Sequence, residues 1–108
     1  VMDFDGNFEK IPEKTYTKWF DYDKIKNTVW LRTRRPGDYL QSDREGGHKK
    51  LKRYFIDEKI PAKDRDQILL LTEESHVLWV IGHRISEAYK VDRGTKRVLC
   101  VQCVNRFM

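Results

Sequence analysis

Two nearly unbroken apolar runs dominate the second half of the chain: ILLLT at 68–72 and VLWVIG at 77–82, separated by the polar EESH. Runs this short, bounded by polar residues and rich in branched and aromatic side chains, predict two buried strands joined as a hairpin. KRVLCVQCV at 96–104 predicts a last, largely buried strand. In the first half, TYTKWFDY at 15–22 is aromatic and β-prone, and TVWLRTR at 28–34 is the strongest strand pattern. Residues 1–15 mix acids, Phe and Gly, which predicts an extended arm with at most a short edge strand near Met2–Phe8.

The period changes in the middle. In HKKLKRYFIDEKI, residues 48–60, Leu51, Tyr54 and Phe55 recur at helical spacing, and Pro61 ends the segment. A helix from His48 therefore turns one apolar stripe to the core and distributes Lys49, Lys50, Lys52 and Arg53 over the rest of its circumference. Ile56 falls among these cations and implies contact with a second surface. Pro61 can open a further short helix over PAKDRDQ, and Ala88 to Val91 is read as extended. Five to seven strands with one or two central helices predict an α+β class: a mainly β, layered, β-sandwich-like domain at 16–108, preceded by the arm at 1–15.

Alternation along TVWLRTR sends Val29, Leu31 and Thr33 to one face and Trp30, Arg32 and Arg34 to the other. Arg35-Pro36-Gly37-Asp38 then has the composition of a type II turn, with Pro and Gly at its two central positions. Arg32 and Arg34 are thus expected to leave the sheet side by side, about 7 Å apart. Paired guanidinium forks suit phosphate oxygens; the alternative is that they are bonded to acids of their own chain. The helix also runs against its dipole, with cations in its first turn and Asp57 and Glu58 later. That arrangement is intelligible if the cations serve an external anion.

Charge sharpens this picture. The chain of 108 residues is +5 at neutral pH, and residues 29–53 hold eight Lys/Arg against three Asp/Glu, while the remainder carries fourteen of each. The entire excess sits in one window, which points to a polyanion as partner. A solvated face whose acids come back into register is the competing explanation. Apolar residues at 39% are enough for one modest core. There is no signal-peptide pattern, and the longest apolar run, Val77 to Gly82, is too short to cross a membrane. The chain opens on Val1, so a fragment or processed piece of something longer is expected.

Catalytic chemistry has no visible seat. The phosphate-loop, dinucleotide-binding and nucleophile-elbow patterns are absent. Cys100 and Cys103 form a lone CxxC in a predicted buried strand, and His48, His76 and His83 are scattered, so neither a zinc site nor a redox pair is indicated. Glu73-Glu74 and Asp57-Glu58 read as solvated surface, and Trp19, Trp30 and Trp79 read as core. Tyr39, beside the turn, and Tyr54 are the aromatics able to meet a base or ribose, with core or rim packing as the competing role.

The blocks LRTRRPGD (31–38), HKKLKRYFIDEKIP (48–61) with Arg65-Asp66, LWVIGHRISEAYKV (78–91) and TKRVL (95–99) together resemble the C-terminal domain of tRNA(Ile)-lysidine synthetase. The resemblance spans residues 16–101. It implies a bacterial cytoplasmic parent enzyme that uses ATP and Mg in a separate N-terminal domain to attach lysine to the wobble cytidine of an isoleucine tRNA. It further implies that this chain holds no catalytic residue, metal or cofactor and contributes recognition of the tRNA, particularly its acceptor stem. The fold implied is a layered domain with an unusual β-sandwich. Relatives commonly carry an arginine directly after PGD, where this chain has Tyr39.

Charge window and resemblance together nominate Arg32, Arg34, Arg35, Tyr39, Arg44, His48, Lys49, Lys50, Lys52 and Arg53 as RNA-contacting residues. A module of another class, docking on the parent's other domains or forming a homodimer, is the second reading, with the apolar strands and Ile56 as its surface.

Overall fold

The computed structural model of the protein describes residues 1–104. Its elements are β1 (Met2–Asp3), β2 (Thr17–Asp21), β3 (Val29–Arg32), β4 (Tyr39–Gln41), β5 (His48–Lys50), α1 (Leu51–Asp57), α2 (Ala62–Arg65), β6 (Leu70–Glu73), β7 (His76–Val80), β8 (Arg84–Ile85) and β9 (Arg97–Gln102). Single 3-10 turns occupy Phe8–Lys10, Tyr22–Lys24 and Glu87–Tyr89. Two sheets result: one in the order β1-β9-β2, the other β3-β6-β7-β4-β5 with β8 on β7. The expected mainly β, layered α+β class is the one found.

The β6–β7 hairpin is the spine of the fold, because both faces of it are covered. Leu70, Val77 and Val80 pack with Leu40, Ile60 and the α1 stripe Leu51, Tyr54 and Phe55. Leu71, Leu78 and Trp79 pack on the opposite side with Phe20, Tyr89 and the partly buried Leu99 and Val101. A strand buried on both faces loses its polar alternation, which is why these two read as continuous apolar runs. The register shifts between Leu71 and Thr72, so that Leu71 opposes Trp79 but Thr72 opposes Val77. The extra residue, Leu78, turns to the same side as Trp79, so Val77 and Val80 come to share the other face although they are three residues apart. Phe55 is fully buried; a side chain of that size contributes about 1.5–3 kcal/mol through burial.

Several local expectations change. His48–Lys50 is a strand, not the first turn of the helix, because it pairs antiparallel with β4 (Lys49 opposite Leu40). The helix is consequently only seven residues long. Ile56 is exposed and belongs to neither core cluster. Ala88 and Tyr89 form a 3-10 turn capped by the Ser86 side chain in place of an extended stretch. Cys100 is exposed, and Cys103, just beyond β9, is partly buried beside Leu99 and Val101 against the second cluster. Trp79 is core, but Trp30 lies on the edge strand β3 and is open to solvent. The arm joins the outer sheet through β1, paired with β9, and Phe4 meets Trp19 edge-on. Among the described residues no helix is long and apolar enough to cross a membrane.

Glu73 also departs from the surface role expected for it. Its carboxylate accepts from the backbone amides of Lys26 and Asn27 and from the Tyr89 hydroxyl at 2.5 Å. Burial pushes its pKa up, but the Tyr89 hydroxyl and the two amides outweigh this and hold it below the ordinary value. Tyr89 in turn meets His76 edge-on, and His76, Tyr39 and His48 continue the aromatic row at centroid spacings of 4.6 and 4.7 Å. The Ser86 hydroxyl accepts from the Gln41 amide and lies 2.9 Å from His76 Nε2, to which it can give its proton while the ring is neutral.

Burial, with the His48 ring adding repulsion and Glu73 opposing both, lowers the His76 pKa from 6.5 to about 4. Between those values the unfolded chain takes up a proton at His76 that the folded chain refuses. Stability from this group is therefore complete above pH 6.5 and declines as pH falls towards 4. Urea titrations across that interval should show a shallower decline for His76→Gln than for the unsubstituted chain; parallel declines would count against this assignment.

Candidate nucleic-acid interface

The turn between β3 and β4 is held from behind. Arg32 places two nitrogens on the two oxygens of Asp38, at 2.9 and 2.8 Å, and donates to the backbone carbonyls of Thr33 and Glu74 as well. Both side chains are largely enclosed, Arg32 at 13% exposure and Asp38 at 2%. The carboxylate raises the Arg32 pKa, against the opposing effect of burial. Asp38 additionally accepts from the Arg35 amide at 2.8 Å, while its own amide donates to the Arg35 carbonyl at 3.3 Å. Gly37 has φ 91°, the left-handed value that a type II turn requires at this position. The turn expected from Arg35-Pro36-Gly37-Asp38 is present.

The Asp38 carbonyl then accepts from the Leu51 amide at 2.9 Å, the first residue of α1. One residue thus fixes the turn with its side chain and the start of the helix with its backbone. A shallow groove of about 590 Å³ lies between the two, lined by Arg34, Arg35, Pro36, Lys50, Lys52 and Asp66 among others. Of the nominated cations, Arg34, Arg35, Lys50 and Lys52 line this groove, and Arg32, Lys49 and Arg53 do not. Among the described residues, Arg35, Lys50 and Lys52 have no carboxylate partner.

The remaining nominated residues divide differently from the sequence reading. Arg32 and Arg34 do not leave the sheet side by side: the strand ends at Arg32, whose guanidinium turns in to Asp38. Arg34 lies over the Phe55 ring, 5.9 Å from its centroid, and bonds Asp66 at 2.7 Å. Lys49 and Arg53 both bind Asp57, whose carboxyl is held below its ordinary pKa chiefly by the Lys49 hydrogen bond. Tyr39 and His48 stack on each other within the aromatic row. Arg44 lines a different depression with Lys24, Lys90 and Arg93. The helix end adds little anion-binding capacity of its own, because α1 is short and its leading amide is taken by Asp38. Among the described residues no group of three or more His, Cys, Asp or Glu could hold a metal ion.

A family model described as the TilS substrate C-terminal domain matches residues 29–101. The chain belongs to that family. The match takes in the turn, the groove and every strand of the larger sheet. Among curated relatives, tRNA(Ile)-lysidine synthase of Caldanaerobacter subterraneus subsp. tengcongensis is 46% identical over 87 residues, covering 81% of this chain and 19% of the relative. The Clostridium tetani protein of the same name is 41% identical over an equal span. This chain accordingly spans about a fifth of the length of these relatives. A solved structure, "Crystal structure of TILS C-terminal domain", superposes with a TM-score of 0.67 at 30% identity, covering 90% of this chain and 79% of that one. For this family member, then, the layered fold is shared with a solved TILS C-terminal domain.

Removing one partner from an enclosed, multiply bonded ion pair leaves the other charge stranded. Asp38→Ala should therefore lower unfolding free energy by about 3 kcal/mol or more. Gly37→Ala should cost about 1–2 kcal/mol, because a Cβ there meets open space and only the left-handed backbone resists it. Denaturant titration of both variants checks the order; a smaller loss for Asp38→Ala than for Gly37→Ala contradicts the ion-pair account.

Proposed function

We propose that this chain is the tRNA-recognition domain of a tRNA(Ile)-lysidine synthase, and that its groove takes the ribose-phosphate backbone of an isoleucine tRNA acceptor stem. The observation that carries this reading is the convergence of Arg34, Arg35, Lys50 and Lys52 on one groove, three of them without an internal counter-ion. The family and the names of the relatives supply the substrate class. In an A-form stem the deep groove excludes side chains, so contacts go to phosphates and 2′-hydroxyls. Cations spread along a shallow groove match that geometry.

The nominated set takes distinct roles within this reading. Arg35, Lys50 and Lys52 contact phosphate directly. Arg34 joins them by leaving Asp66, which costs little because Asp66 is 76% exposed and surface ion pairs are weak. Arg32 supports the turn and makes no RNA contact, since four of its hydrogen bonds are already committed. Lys49 and Arg53 flank the groove with their charge shared on Asp57. The ATP- and Mg-dependent ligation of lysine to the wobble cytidine belongs to the parent enzyme in the bacterial cytoplasm, and this chain binds without catalysing.

Each phosphate contact contributes about 0.7–0.9 to the slope of log affinity against log salt. Replacing Arg34, Arg35, Lys50 and Lys52 together by Ala should weaken binding to isoleucine tRNA and flatten that slope by about three. Binding measured by filter retention at several salt concentrations gives the slope directly. A quadruple variant with the parental slope would remove the groove from the interface.

A further inference from the structure

Trp30 stands on the opposite flank of the same turn. A second depression, about 390 Å³, is lined by Trp30, Arg32, Arg35, Pro36, Glu74 and Ser75. It shares Arg35, Pro36 and Asp38 with the cationic groove, so the two abut along the ridge of the turn. Trp30 is 60% exposed. It lies on β3, an edge of the larger sheet, opposite Thr72. Edge strands are ordinarily blunted with charged residues, and a large exposed indole there runs against the stability and solubility of the isolated domain.

The setting of this indole indicates what it suits. Its neighbours in the depression are the guanidiniums of Arg32 and Arg35, the carboxylates of Asp38 and Glu74, Pro36 and the Ser75 hydroxyl, so the lining around it is mostly polar. A protein partner burying Trp30 would also have to bury Arg35 and Glu74. A nucleobase has the matching form: a flat apolar face for the indole and a polar edge for the groups around it. Stacking of that kind is indifferent to sequence because every base offers a π-face. A base inside a duplex has both faces covered by its neighbours, so the occupant lies at or beyond a duplex end, and an unpaired base there leaves its polar edge free for the surrounding groups as well.

We propose that Trp30 is the stacking platform for an unpaired nucleotide adjoining the duplex whose backbone lies in the cationic groove. Arg35, on the shared ridge, would meet the phosphate between the paired and unpaired segments. This rests on the RNA-binding reading and deepens it: the surface would recognise a junction between duplex and single strand, not duplex alone.

The test compares a short blunt-ended RNA duplex with the same duplex carrying a single-stranded tail at one end, on either strand. The unsubstituted chain should bind one of the tailed forms about tenfold more tightly than the blunt form. Trp30→Ala should lose that advantage while keeping blunt-duplex affinity and its salt slope, and Trp30→Phe should retain most of it. The tailed RNA should quench tryptophan fluorescence in the unsubstituted chain and leave Trp30→Phe nearly unquenched, because Trp79 is buried and Trp19 partly so. Equal affinity for blunt and tailed RNA, or equal weakening of both by Trp30→Ala, overturns the role of Trp30 and leaves the groove standing. Failure of every RNA to bind, or a salt slope indifferent to the groove cations, overturns both.

Discussion

The enclosed pair of Arg32 and Asp38 is the constraint from which the rest of the surface follows. Its two parallel hydrogen bonds fix the direction in which the chain leaves β3, and the same carboxylate fixes the amide of Arg35. The Asp38 backbone then anchors α1. A type II turn by itself is a weak structure, and a seven-residue helix by itself is weaker still. Joined through Asp38 and backed by the packed stripe Leu51, Tyr54 and Phe55, they become one unit with a set spacing between their cations. The pair also keeps a full positive charge away from the surface, so the charge that remains there belongs to residues placed by the turn.

That unit depends on the sheet behind it. β6 and β7 are covered by α1 on one side and by the outer sheet on the other, which encloses nearly every residue of the hairpin strands. β3 hangs from β6, and β4 runs parallel to β7 at Tyr39 and His76, so both arms of the turn are attached to the same hairpin. The row of rings from His48 to Tyr89 ties β5 and β4 to Glu73 at the far end. Attaching these cations to a doubly covered hairpin limits how far they can drift apart.

Much of this was legible in the sequence, for identifiable reasons. Burial on both faces wrote the hairpin as two apolar runs, and the Pro-Gly pair wrote the turn, because proline presets the first of its backbone angles and glycine takes the second without strain. The stripe at 51, 54 and 55 wrote the helix. What escaped depends on contacts between distant residues. The cluster at His48–Lys50 has no period of its own and becomes a strand because Tyr39–Gln41 lies beside it. Arg32 and Arg34 are alike in sequence and opposite in fate because Asp38 can reach one of them and Asp66 the other. Glu73 is bonded by Tyr89, and Trp30 is left exposed on β3, an edge strand among the described residues. Neither fact leaves a mark in the local pattern.

Arg34 carries its own counter-ion on the same chain. Asp66 is tethered, so its effective concentration at the guanidinium does not fall when protein or electrolyte is diluted. Small diffusible anions must compete with a resident carboxylate at every concentration, whereas a polymer already held by Arg35, Lys50 and Lys52 competes on equal terms, being tethered too. On the proposed reading the exchange would discriminate by valency: a single phosphate would gain little at Arg34, and a strand of them would gain a fourth point of attachment.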